Sequence, residues 1–494
     1  MQKFKLFINN TWVDAEGGKT FLSYDPSTGE PIAELASASK ADVDRAVAVA
    51  KKTFDSGVWS ELSGDERAKY MLKAVEIMRR RLPELAKWEA LDTGKPIRET
   101  EMIDITYAMR AMEYFANMAR EIQGQVIPIP NESTFTWVTY EPFGVVAAIT
   151  PWNFPLHIGT RAICPAMAAG NTVVAKASSL SPITNIILGE IIAEAGFPPG
   201  VVNLISGPGN PTGQALIDHP DIAMITFTGS LEIGRKIMEA AAKAPVIKKV
   251  LLELGGKGPF IVEADANIED AVNQVLKGFC LMQGEVCCAS TRLYCHEDVY
   301  DRFMKMLVER AKRIKIGPIM ERSTQMGSLI NREQLEQVDR RVKAAVQEGA
   351  KLLTGGEPYT AGACAKGSYY PPTVLEVARN GMKCVQEEIF GPVLVALKYS
   401  KLDDAIAMAN ANQYALGASV YTENVRTLFY AAKKIEAGIV WLNTNVMSKI
   451  EAPYGGNKNS GLGREDGIIG LMEYLKVKTN VLSLSKSIDN FYDF

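Results

Sequence analysis

Apolar residues recur at helical spacing through the first quarter of the chain. Val43, Ala46, Val47, Ala50 and Phe54 fall on one face of a helix beginning near Ala41, with Ser39 placed to cap it. A second amphipathic stretch runs from Asp65 towards Leu91, with Pro83 as its break, and a third from about Glu99 to Arg120. This opening section reads as helical. The texture then changes to short β-prone runs: Gly144–Thr150, Asn171–Ala175, Val201–Ile205, Ala223–Phe227 and Lys249–Leu252. Helical segments separate several of them, at Leu156–Ala169, Pro182–Ala195, Pro211–Ile217 and Ser230–Ala242. Strands alternating with helices predict an α/β fold with a parallel, doubly wound sheet. Such sheets bind nucleotides at the carboxyl ends of their strands.

After Gly255 a second α/β pattern starts, with helices near 268–283, 298–313 and 333–349 and strands near Ser419–Tyr421 and Ile439–Leu442. Gln125–Glu141 and Val477–Leu484 read as extended β pieces outside both units. No internal repeat, low-complexity tail or Pro/Gly/Ser linker separates the halves, so they are expected to pack around a cleft. The charge-poor stretch from Pro142 to Ala175 contains Arg161 and is interrupted by Pro142, Pro151, Pro155 and Pro165. It reads as buried strands and turns, not as a membrane span.

Composition narrows the function classes. A chain of 494 residues with 47% apolar and 22% charged residues suits an ordinary globular protein of about two to four domains. A net charge of −3 gives no support for nucleic-acid binding as the main task. Seven cysteines, odd in number and without a CxxC pair, fit reduced thiols in a cytoplasm rather than a disulfide framework. His157, His219 and His296 are scattered, which argues against a zinc cluster, and no metal is expected. The start, MQKFKLFINNTWVD, lacks the apolar core of a signal peptide. The expected partner is a small molecule, with no nucleic acid and no membrane.

Several short segments carry chemistry. Gln283-Gly284-Glu285-Val286-Cys287-Cys288 places a glycine three residues before a cysteine, where backbone can approach a ligand closely. A thiol at a helix or turn end can become a nucleophile, although free cysteines are more often small buried hydrophobes. Glu253-Leu254-Gly255-Gly256-Lys257 sets a carboxylate at a strand's carboxyl end, as a general base or as a salt-bridged turn residue. Thr150-Pro151-Trp152-Asn153-Phe154-Pro155 offers the Asn153 amide to a developing oxyanion, or is a Pro-bounded turn. Phe227-Thr228-Gly229-Ser230 closes a strand and opens a helix whose free N–H groups suit a pyrophosphate; the alternative is a simple cap. No GxGxxG follows any strand, so the ordinary Rossmann fingerprint fails. Glu387-Glu388-Ile389-Phe390-Gly391-Pro392 adds a carboxylate beside an aromatic ring.

These segments, followed by Pro453-Tyr454-Gly455-Gly456-Asn457-Lys458, occur in an order that resembles the aldehyde dehydrogenase superfamily over essentially the whole chain. The resemblance implies two doubly wound α/β domains plus a small β oligomerisation element. It implies a coenzyme-binding domain of 1–122 and 143–254, a catalytic domain of 255–454, and an oligomerisation element and tail of 123–142 and 455–494. Cys287 would attack the aldehyde, Asn153 would hold the oxyanion, Glu253 would activate water and Glu465 would relay protons. Thr150, Pro151, Trp152, Lys176, Ser179, Gly229, Ser230, Leu254, Glu388 and Phe390 match coenzyme-contacting positions. Members are usually dimers or tetramers.

The chain departs from the family pattern in places. Glu285 stands where Gln is usual, Met282 where Asn is common, and Arg161-Ala162 replaces a frequent Trp-Lys pair. Arg161, Leu281 and Ser448 fall at positions expected in the substrate tunnel. Arg161 could meet a substrate carboxylate there, or bond backbone away from the substrate. That leaves a semialdehyde acid, an aromatic aldehyde or an aliphatic one open. Ser179 occupies the position where NAD-specific members carry Glu, so NADP is expected in preference to NAD. A CoA-acylating relative would generally lack Glu253, and a non-catalytic protein of the same fold would have no need of Cys287, Glu253 and Asn153 together.

Overall fold

The computed structural model describes residues 1–130, 133–447, 449–486 and 492. The helical periodicity of the opening quarter becomes helices Lys40–Asp55, Gly64–Arg80 and Leu82–Thr93. Ser39 and Ser63 start the first two with capping boxes, in which Asp42 and Glu66 bond back to the cap's own N–H. The break falls at Arg81, ahead of Pro83, which sits in the first turn of the next helix where a missing N–H costs nothing. The third stretch is bent. Ile97–Glu99 leads into a π-helical turn, Thr100–Ile105, before Thr106–Met118.

The opening of the chain is not wholly helical, as its periodicity suggested. Five strands precede the first long helix: Gln2–Phe4, Leu6–Ile8, Thr11–Val13, Thr20–Tyr24 and Pro31–Ala36. Most are too short for alternation to show. One signal was present: Asn9 and Asn10 both take positive φ, 57° and 55°, and form the two-residue turn of a hairpin.

The expected doubly wound sheet has eight strands. Its order is Gly461–Leu462, Lys249–Glu253, Ile222–Thr228, Val145–Ile149, Thr172–Ala177, Val202–Ser206, Leu6–Ile8, Thr11–Val13. The five central strands are parallel and the outer pairings antiparallel. Helix Pro155–Ala168 packs beside it, buried along its whole length. Asn171 pins this layer. It accepts from the Gly144 N–H and donates to the carbonyls of Ala166 and Tyr474, all without solvent contact.

A second sheet of seven strands runs Lys351–Thr354, Thr373–Glu376, Val393–Tyr399, Ser290–His296, Gly258–Val262, Gly417–Tyr421, Ile439–Leu442. All pairings but the first are parallel. Gln125–Ile127, Thr134–Pro142 and Leu475–Ser483 form a separate antiparallel sheet, so the two stray β pieces find each other. Residues 457–462 lie elsewhere: Gly461–Leu462 extends the first sheet, and Asn457–Lys458 pairs with Tyr414–Ala415. Among the described residues, no helix is long and apolar enough to cross a membrane.

Candidate active site

The cysteine segment leaves helix Ile268–Cys280 through three consecutive left-handed residues, Met282, Gln283 and Gly284, with φ of 51°, 55° and 72°. Such a path costs energy unless its surroundings over-determine it. Here the Met282 N–H donates to Glu99. The Gln283 amide donates to the Ser328 carbonyl and accepts from the Gly327 N–H. A Cβ on Gly284 would stand 2.3 Å from the Gly391 carbonyl oxygen. The glycine thus permits a close approach of the Gly391 and Phe279 backbone. The turn delivers Cys287, half-buried, just before strand Ser290–His296, while Cys288 is buried.

Cys287 opens on a cavity of about 270 Å³ whose wall includes Phe154, Leu281, Trp441 and Tyr454. Leu281 lines the same cavity as Cys287; Ser448, also expected at the tunnel, falls outside the described residues. The Tyr454 hydroxyl is 3.4 Å from the Cys287 sulfur. Hydrogen bonding to Cys288 and burial hold the Cys287 thiol well above its usual range, while Tyr454 and the Arg161 charge pull it down.

Arg161 also lines this cavity, but its guanidinium is already engaged. Nε lies 2.5 Å from Glu465 and 3.9 Å from Asp466, and the group stacks 4.0 Å over the Tyr454 ring. Its partners are internal carboxylates, neither backbone nor open space. Asp466 in turn accepts from the Tyr107 hydroxyl.

Glu253 ends its strand only 1% exposed, and neither carboxyl oxygen has a hydrogen-bond partner. Burial, then the charge of Glu465, push its pKa well above the ordinary carboxylate range, against the pull of Arg161. Glu465 spends one oxygen on Arg161 and leaves the other unpaired. Asn153, also buried, donates to the Glu285 carbonyl at 2.8 Å, which leaves its second amide N–H free. Glu285 accepts from the Ile330 N–H, and burial holds its carboxyl well above the usual range. A protonated carboxyl there can replace the neutral amide of the usual Gln.

The remaining predicted residues gather at the carboxyl ends of the first sheet. Thr150 N–H donates to the Lys176 carbonyl, joining neighbouring strands. Pro151 and Trp152 follow, half-buried, and the Trp152 ring meets Phe390 edge-on at 5.3 Å. Lys176 is buried, donates to the Ala177 carbonyl and is lowered to about 8 by desolvation. Ser179 lies half-buried in the loop after it. Ser230 caps helix Leu231–Lys243 by accepting from Ile233 N–H, so the simple-cap reading of its oxygen holds; its own O–H remains a donor. Gly229 precedes it at a point where a Cβ would strike the Phe227 ring at 2.4 Å. Leu254 is buried under the same helix, against Gly234. Glu388 accepts from the Gly256 N–H and is pushed up to about 7 by burial. An open helix start, a largely unspent buried ammonium, a carboxyl and two facing rings fit a dinucleotide. Among the described residues, no His/Cys/Asp/Glu group could hold a metal ion.

Four residues at the site received no role from sequence reasoning: Tyr107, His157, Tyr454 and Asp466. Tyr454 lay inside a quoted motif. His157 stands one helical turn before Arg161, a spacing that puts both on one face.

The chain is similar to known proteins over nearly its whole length. The model of the aldehyde dehydrogenase family matches residues 12–480. DhaS of Bacillus subtilis (strain 168) is 42% identical over 476 residues, 96% of this chain and 94% of its own. An aldehyde dehydrogenase of Enchytraeus buchholzi is 40% identical over 476 residues, 96% and 95% of the two chains. The solved NAD+ complex of a Bacillus cereus aldehyde dehydrogenase superposes with a TM-score of 0.95 at 38% identity, covering 98% of this chain and 97% of that one.

The orphaned, buried carboxyl of Glu253 should keep its proton at pH 7. Infrared difference spectra of wild type against Glu253→Gln should show a protonated carboxylic-acid band at that pH, lost only on alkalinisation. A carboxylate band in its place at pH 7 would contradict the electrostatic picture of the site.

Proposed function

The chain belongs to the aldehyde dehydrogenase family, and from that premise we propose that it converts an aldehyde to the carboxylic acid through a covalent intermediate on Cys287. The observation that carries this reading is the joint placement of a half-buried thiol on a cavity wall and a buried carboxyl with both oxygens unspent. The Cys287 thiolate adds to the aldehyde carbon, and the oxyanion takes hydrogen bonds from the free Asn153 amide N–H and the Cys287 backbone N–H. A nicotinamide dinucleotide held by Lys176, Ser230 and Glu388 would supply the acceptor for the hydride that leaves that carbon. Cys287 is then an acyl thioester. Glu253, once ionised, takes a proton from water, whose oxygen attacks the thioester. The acid departs, the sulfur regains its proton, and Glu465 passes the surplus proton outward.

Two alternatives lose support. Transfer of the acyl group to coenzyme A needs no water-activating base, and Glu253 is present. A non-catalytic role leaves an uncompensated buried carboxyl without a purpose. Arg161 is better supported as the partner of Glu465 than as an anchor for a substrate acid, because its charge is already matched. The sheet that pairs Leu475–Ser483 with Thr134–Pro142 exposes Val126, Val477 and Val481, at 64%, 66% and 65%. An apolar surface of that kind suits a second copy of the chain, as a dimer or tetramer. Seven unpaired thiols suit a cytoplasmic setting.

Cys287→Ala should lower turnover by about a thousandfold or more while coenzyme still binds, and Cys288→Ala should keep most activity. In Glu253→Gln, mass spectrometry should find the acyl adduct trapped on Cys287. Equal losses from the two cysteine changes, or steady turnover in Glu253→Gln, would refute the assignment.

Coenzyme choice turns on Ser179 and Lys176. A carboxylate at 179 would lie against the 2′-phosphate of NADP, a repulsion of roughly 1 to 4 kcal/mol. Serine removes it and can donate a hydrogen bond, while Lys176 supplies positive charge. We therefore assign NADP as the preferred coenzyme, with NAD also used. Burial has lowered Lys176 to about 8, so its charge is present below that pH and lost above it. The kcat/KM for NADP should fall above about pH 8, more steeply than for NAD, and Ser179→Glu should raise KM for NADP far more than for NAD. Strict NAD dependence, or equal weakening of both coenzymes, would overturn this assignment.

A further inference from the structure

The charged side chains that line the cavity beside Cys287 are Arg110, Arg161 and Lys277, all cations. Among the described residues, no Asp or Glu lines it. Two of these cations have carboxylate partners. Arg161 is held by Glu465, with Asp466 at 3.9 Å, and Arg110 lies 3.2 Å from Glu451. Lys277 has no such partner among the described residues. Its ammonium donates to the Asn445 backbone carbonyl at 3.0 Å, and the acidic group whose charge reaches it is the Cys288 thiol.

The ammonium is held in one place. Lys277 sits in the last turn of helix Ile268–Cys280, one turn before Leu281. Asn445, which accepts its bond, is buried and tied down on three sides. Its side-chain oxygen accepts from the Ser290 and Ser419 hydroxyls, and its amide donates to the Gln274 carbonyl. That contact takes one of the three N–H donors of the ammonium and leaves two. Lys277 is half-buried and its bond to Asn445 only partly so, which keeps the charge within reach of what enters the cavity. A half-buried charge is screened less than one on an open surface.

Resting on the aldehyde oxidation proposed above, we infer that Lys277 is a specificity-determining residue that binds a carboxylate carried by the substrate. The chemical class is an oxo acid with an apolar or aromatic body between its aldehyde and its acid. The body is set by the rest of the wall, where Phe154, Leu281, Trp441 and Tyr454 offer apolar and aromatic surface. A carboxylate accepts hydrogen bonds and gives none, which matches an ammonium with two donors to spare. It also supplies the counter-charge that the wall itself lacks. A neutral aldehyde would fill the same space and leave the ammonium without one. A cationic aldehyde would meet like charge. Arg161 adds positive potential to the same cavity, but Glu465 already matches its charge, so the pairing falls to Lys277.

The test measures kcat/KM in wild type, Lys277→Met, Lys277→Arg and Arg110→Met for two matched pairs of aldehydes. The pairs are 4-carboxybenzaldehyde with benzaldehyde, and 6-oxohexanoate with hexanal. Comparing one ratio between enzymes cancels the intrinsic reactivity of each aldehyde. Wild type should prefer the acid in at least one pair. That acid-to-neutral ratio should fall about tenfold in Lys277→Met, chiefly through KM, and be kept in Lys277→Arg. In wild type the ratio should also shrink as ionic strength rises. A role confined to the helix end or to the Asn445 carbonyl would move acid and neutral aldehydes together and leave the ratio as it is. An unchanged ratio in Lys277→Met, an equal fall in Arg110→Met, or a wild-type preference for the neutral member of both pairs overturns the proposal while aldehyde oxidation stands. Failure of wild type to oxidise any of the four overturns both.

Discussion

A buried guanidinium organises the chemistry of this molecule. Arg161 sits 5% exposed on a helix that is buried end to end. Removing such a charge from water is expensive, and a pair recovers the cost only with good geometry and full hydrogen bonding. Glu465 and Asp466 supply the counter-charge, and Tyr454 supplies a π-face. In return the cation pulls the pKa values of Glu253, Cys287, Tyr454 and Asp466 down against burial, and it helps keep His157 neutral. The Cys287 thiol, the Glu253 carboxyl and the cavity wall therefore share one source of positive potential.

Around that charge the two sheets bring strand ends together. Glu253 arrives from the first sheet, and Cys287 from the turn that starts a strand of the second. The turn is held in left-handed geometry by its contact with the Gly391 backbone, next to Phe390, which itself takes a positive φ of 58°. Glu388 bonds the Gly256 N–H, so the carboxylate segment also ties to the segment that carries Glu253. Segments far apart in sequence thus fix one another's backbone, which is how the Cys287 thiol is placed without a regular element under it.

Much of this was legible in the sequence because long periodic patterns report burial directly. The first sheet's five parallel strands and their helices appear where alternation and periodicity put them. The N-terminal strands did not, since segments of three to six residues carry too little pattern. The Gly284 motif was visible, but its partner was a carbonyl more than a hundred residues away, which local reading cannot supply. Arg161 lines the same cavity as Cys287, but its ion pair with Glu465, which spans 304 positions, had no local signal. Tyr454 and His157 carried no recognisable signal of their own. Their meaning depends on which groups around them are already satisfied, and only the packed structure shows that.

The central claim is that the Tyr454 hydroxyl and the Arg161 charge pull the ionisation of Cys287 down against burial and its Cys288 neighbour. Site-resolved alkylation of Cys287 by iodoacetamide, followed by mass spectrometry across pH, measures this directly. The Tyr454 hydroxyl favours the thiolate, so Tyr454→Phe should move the alkylation midpoint to higher pH and slow the reaction at neutral pH. A midpoint that stays where it is in wild type would contradict the account.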